Sequence, residues 1–159
     1  MRMLTGVVVL ALGFSIGCAG RTSTTTGAGG GGAATQARMT EADYDAIMKK
    51  VGPTNGGMRK AIMSNQLADA GKNAQQLAML FGDVERFWTQ YKVMDAAKLA
   101  AEARRNATET AGAAAGGDQM KTQMAADMLL GQCKQCHGMY REGSQEAGFH
   151  IKPGVLGAE

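Results

Sequence analysis

A chain of 159 residues has room for one domain of ordinary size, and a net charge of +3 is too mild to imply a nucleic-acid partner. Nothing in it resembles a carboxylate pair, a serine triad or a phosphate-binding loop, so composition and motif content argue against an enzyme. Only two prolines and three cysteines interrupt it, which leaves stability to packing and to whatever group the cysteines hold.

Residues 1–17 read as a signal peptide. Met1-Arg2 is a positive start, Leu4 to Ile16 is an apolar run too short to span a bilayer, and small residues follow it. Cys18 after Gly17 resembles a bacterial lipobox, in which the cysteine is acylated and becomes the new N-terminus; Ser15 departs from that pattern, which usually has Leu there. Plain cleavage near Ala19 is the alternative. Either route exports the protein to the periplasmic side of a bacterial membrane, lipid-anchored in the first case and soluble in the second. Loss of Arg2 with the signal lowers the charge to +2, 16 basic against 14 acidic residues. Residues 18–39 are a tether whose low-complexity centre lacks the apolar residues to bury a core. As a flexible coil of about 17 residues, that centre reaches on the order of 20–25 Å, enough to hold a domain clear of a membrane surface.

From residue 40 the chain reads as helical, and 40–143 is the expected folded domain. Thr40 with Asp43 makes a capping box. Tyr44, Met48, Val51, Met58 and Ile62 repeat at helical spacing, with Asn55 in the one gap. Gly52-Pro53 removes a backbone donor, yet the apolar phase runs across it, so the spacing predicts one bent helix over 40–64, with two short helices as the alternative. Leu67, Ala70, Ala74, Leu77 and Phe81 mark a second helix that Gly82-Asp83 ends. A third begins near Val84, carries Phe87, Trp88, Tyr91 and Met94, and continues as an alanine stripe (Ala96, Ala100, Ala103, Ala107) to Gly116-Gly117. Asp118 caps a fourth, in which Met120, Met124, Met128 and Leu129 lead into Cys133. Arg104-Arg105, flanked by Glu102 and Glu109, reads as a solvated helix face. Four helices with short connections predict an all-α antiparallel four-helix bundle. The tail, 144–159, is expected to be loose.

Chemistry concentrates in the fourth helix. Cys133-Lys134-Gln135-Cys136-His137 is the c-type haem attachment pattern. Two thiols one helical turn apart can each form a thioether with a haem vinyl group, and His137 then offers an imidazole to the iron. One covalent haem c is the cofactor this implies. A zinc site would need four donors and finds only these three and His150. A dithiol redox pair belongs at a helix start after a strand, not inside a helix. Small side chains on the third helix leave space, and burying several hundred Å² of a macrocycle there would contribute on the order of 10 kcal/mol before entropy costs.

Leu130 to His137 followed by Tyr140-Arg141, with Ile47-Met48-Lys49-Lys50-Val51-Gly52 and Phe87-Trp88, resembles the class II c-type cytochromes, the cytochrome c-prime family. The resemblance covers about residues 40–143. It implies a four-helix bundle with a C-terminal haem-attachment helix, haem on Cys133 and Cys136, His137 as proximal ligand, and Met48 at the distal position on the first helix. Tyr44 stands where that family commonly has Arg near a haem propionate, and the Gly82-Asp83 connection is shorter than is usual there. Dimers are common among such proteins. Met48 either ligates iron or walls off an open site, since a methionine on a helical seam is often gap-filling core; Met58 is the second candidate. Arg141, four residues after His137, is expected on the same helix face, paired with a propionate or solvated. Trp88 and Tyr140 are expected to pack, and His150 to be exposed. The function these readings imply is electron transfer to redox partner proteins, the weakly basic surface suiting acidic ones; the alternative is a five-coordinate protein that binds nitric oxide or carbon monoxide.

Overall fold

The computed structural model describes residues 37–157. The signal-like segment, Cys18 and nearly all of the tether lie outside the described residues.

Thr40 opens the first helix as expected. Its hydroxyl accepts from the Asp43 N–H at 3.2 Å while the Asp43 carboxylate accepts from the Thr40 N–H at 2.8 Å. The helix, α1 (Glu41–Met63), continues through Pro53, which faces solvent. Ile47, Val51, Met58 and Ile62 are buried along one stripe, and their packing outweighs the bond the proline removes. The remaining helices are α2 (Leu67–Gln90), α3 (Met94–Ala115) and α4 (Gln119–Tyr140). Three-residue connections force each to run back along its predecessor, giving an all-α antiparallel four-helix bundle. No helix among the described residues is long and apolar enough to cross a membrane.

The boundary between the second and third helices differs from expectation. Gly82 and Asp83 do not end a helix; α2 runs through them, with Asp83 paired to Arg86 at 2.8 Å. One interior glycine costs about 1 kcal/mol, and burying Phe81, Val84, Phe87 and Trp88 on one face outweighs that. The chain reverses instead at Tyr91–Val93, where Lys92 takes a left-handed conformation (φ 58°). Trp88 therefore belongs to α2, and the short connection expected at Gly82-Asp83 does not exist.

In α4 the buried stripe is Thr122, Ala125, Ala126 and Leu129, not the methionines. Met120, Met124 and Met128 face solvent, 75%, 61% and 50% exposed. Small residues win the inward face because α3 presents alanines, and two small faces pack closely. Arg104 pairs with Glu85 of α2 and Arg105 with Glu102, as a solvated face does.

The tail is not loose. Arg141–Ser144 (β1) and Gly148–Ile151 (β2) form an antiparallel hairpin in which Arg141 stands opposite Ile151. Gly143 has φ 96°, and any Cβ there would overlap the Gly148 carbonyl, so the hairpin requires glycine at that position. Lys152 fastens the hairpin to the end of α4, its ammonium donating to the carbonyls of Gly138 and Met139 at 2.9 Å each. Those are orphan carbonyls of the last helical turn, where a cation is favoured. Across the opening, the Ile151 N–H donates to the Glu41 carboxylate at 3.1 Å and ties β2 to α1. The folded unit thus extends beyond residue 143.

Candidate functional site

Packing follows chain order: α1 rests on α2, α2 on α3, and α3 on α4, while α1 and α4 scarcely close on each other. Between them lies a cavity of about 660 Å³, with the hairpin across one end. That volume falls within the range of about 300–1,000 Å³ common for small-molecule and cofactor sites. The space expected beside the alanines of α3 opens instead between the outer two helices. The α3 alanines let α2 and α4 approach.

Five residues singled out from the sequence as cofactor contacts border this cavity: Met48 from α1, Cys133, Cys136 and His137 from α4, and Arg141 from β1. Cys133 and Cys136 are one turn apart and half-buried. Met48 is half-buried too, on the opposite wall. Met58 is fully buried and does not border the cavity, which removes it as the second ligand candidate. Arg141 is not on the helix. It caps α4 in an extended conformation and begins β1, its N–H donating to the His137 carbonyl. Its guanidinium lies 4.1 Å from the Phe149 ring, a cation–π contact that keeps it at the rim.

Electrostatics follow from this half-burial. Removal from water pushes both thiols up to about 11, and for Cys136 the neighbouring Cys133 adds to the effect. Protonated thiols deep in a helix are poor nucleophiles, the opposite of an activated dithiol pair. Burial, aided by the positive charge of Arg141, holds His137 below the ordinary histidine value. Its neutral form, the one that binds a metal, is thereby favoured. Tyr44 is raised, first by burial and then by Cys136.

The residues fit the group the motif implies. Two thiols, a neutral imidazole and a thioether share one mainly apolar cavity of cofactor size. Asn55, also on its wall, has a buried side-chain oxygen with no hydrogen-bond partner among the described residues. His150 is exposed as expected, but it belongs to the hairpin, where Nε2 lies 3.0 Å from the Glu142 carboxylate. It borders the same cavity, yet no three His, Cys, Asp or Glu side chains converge at metal-binding spacing among the described residues.

Sequence reading missed Glu41, Phe149 and Ile151, which the hairpin brings to the rim. The available signal was the aromatic and β-branched stretch Phe149–Ile151, set off from Arg141 by Gly143 and Gly148. Beyond Met48, toward the bundle interior, a second hollow of about 30 Å³ is bordered by Met48, Phe81, Cys133 and His137. Comparison with known protein families, curated proteins and solved structures gives no match.

Proposed function

We propose that this is an exported monohaem c-type cytochrome of the cytochrome c-prime type that carries electrons. The observation that supports the reading is that Cys133, Cys136, His137 and Met48 border one cavity between α1 and α4. In this reading Cys133 and Cys136 hold haem c through thioethers, His137 is the proximal ligand and Met48 faces it from α1. The haem supplies a reversible one-electron couple; the chain supplies a rigid, largely apolar surround and an accessible rim. A His137/Met48 pair places the potential on the high side, because thioether ligation favours ferrous iron. Lys134 and Arg141 at the rim suit an acidic redox partner. An N-terminal lipid on Cys18 would keep the domain at the membrane surface.

One observation favours a second reading, gas binding at an open sixth position. The small hollow beside Met48 is large enough for one water-sized molecule. The absorption spectrum of the oxidised protein, and of the reduced protein with carbon monoxide, separates the two. A low-spin spectrum indifferent to carbon monoxide supports electron transfer with Met48 bound. A high-spin spectrum that shifts supports gas binding. Met48→Leu should convert the first behaviour into the second if Met48 is a ligand, and purified protein without any haem absorption overturns both.

A further inference from the structure

The chain has three tyrosines and one tryptophan, and all four fall in a single run of rings. Tyr44 and Tyr140 border the cavity. Trp88, fully buried, touches both, with ring centroids 5.3 Å from Tyr44 and 5.4 Å from Tyr140. Phe87 lies 5.2 Å from Trp88 and 4.6 Å from Tyr44, and continues the run to Tyr91 at 4.8 Å. Tyr91 is half-buried at the α2–α3 turn; its hydroxyl donates to the Met39 carbonyl at 3.0 Å, and the Arg38 guanidinium lies 3.8 Å over its ring. Packing alone does not call for these residue types. The Trp88 indole N–H is buried beside the Tyr44 hydroxyl and makes no well-formed hydrogen bond among the described residues, a loss that phenylalanine would avoid.

We propose that this run is a one-electron relay that draws oxidising equivalents out of the cavity and delivers them to Tyr91 at the surface. The proposal rests on the reading of the cavity as a redox site. Indole and phenol are side chains that give up a single electron, and the two thiols would be tied up as thioethers. Oxidised Trp88 has beside its N–H only the Tyr44 phenol, which is too weak a base to take the proton, and so it passes the deficit on. Tyr44 is buried, which opposes loss of its proton. Tyr91 is half-buried at the turn, so the phenol proton set free when its ring is oxidised can pass to water. With the sixth position open, hydrogen peroxide entering the reduced protein would take up two electrons, one from ferrous iron and one through the rings from Tyr91. Peroxide, one net proton, ferrous iron and the Tyr91 phenol thus become two waters, ferric iron and a neutral Tyr91 phenoxyl radical.

The test is reaction of the reduced Met48→Leu protein, whose sixth position is open under either reading, with hydrogen peroxide in the presence of a nitroso spin trap, with the adduct located by mass spectrometry. The absorption spectrum is recorded first. The expected adduct is on Tyr91. Tyr91→Phe should abolish it, move trapped radical inward to Tyr44 or Tyr140, and quicken bleaching of the haem; Trp88→Phe and Tyr44→Phe together should deplete it while Tyr91 remains in place. An adduct on Tyr91 that persists in that double variant, or bleaching unchanged in Tyr91→Phe, overturns the relay. Should the spectrum show no haem, the functional reading fails separately. A ruthenium photo-oxidant coupled to the free Cys133 thiol then injects the deficit at the same wall, and a Tyr91 radical that forms there and vanishes in Tyr91→Phe sustains the relay, whereas its absence overturns it.

Discussion

Leu129 is the one large side chain that α4 buries fully; its companions on that stripe are Thr122, Ala125 and Ala126. It stands one turn ahead of Cys133, so it anchors the segment that carries the site. Leu129→Ala removes three carbons, about 2.4 kcal/mol of transfer free energy at about 0.8 kcal/mol per carbon. A residual cavity adds to this, because the facing α3 surface is mostly alanine and has no long side chain to swing into the void. The expected loss is about 3–4 kcal/mol, within the span of about 2.7–5.0 measured for comparable leucine truncations. For a domain of this size that corresponds to a fall in Tm of about 10–15 °C. Urea unfolding followed by far-ultraviolet circular dichroism measures it, with half-buried Leu130→Ala as a control expected to lose less than half as much. A loss below about 1.5 kcal/mol with an unchanged denaturant slope would show that α3 and α4 close over the void, refuting the argument that small facing residues hold their spacing.

Lys92→Gly should stabilise the fold by up to about 1 kcal/mol, since relief of the left-handed strain, about 1–2 kcal/mol, exceeds the added chain entropy of glycine, about 0.5–1; thermal melting reads it directly. Gly143→Ala should abolish the hairpin while leaving helix content intact, seen as rapid amide exchange at Ile151, whose N–H would lose Glu41. Asp118 accepts the Lys121 N–H, and that bond lowers its pKa in the folded state. Its contribution is therefore full above the ordinary aspartate value, about 3.9, and lost as pH falls through the lower folded value. Acid titration of stability should show that loss, and Asp118→Asn, which keeps an acceptor without the charge, should flatten the acid limb.

The buried face of α1 and the starts of α1 and α4 were legible because an apolar stripe and the caps at Thr40 and Asp118 act locally. The α2–α3 reversal was not, because Lys92 carries no mark of the left-handed conformation it adopts, while Gly82, which does look like a break, is overridden by the aromatic residues buried around it. The α4 methionines misled for a related reason. Hydrophobic size suggested an inward stripe, but the close approach of α3 selects Thr122, Ala125 and Ala126, shifting the buried face to the neighbouring positions. Cys133, Cys136, His137 and Met48 were singled out by chemistry and resemblance, and all four border one cavity. The hairpin escaped notice because its strands are four residues each and are held by partners distant in sequence, Glu41 above all.

The open seam between α1 and α4 separates two duties. One face is braced from behind by α2 and the other by α3, so neither leans on its opposite number. Substitutions at Met48 and along Cys133–His137 therefore meet chiefly through the space both walls line, and any non-additivity in their effects on stability would report that shared space and whatever fills it.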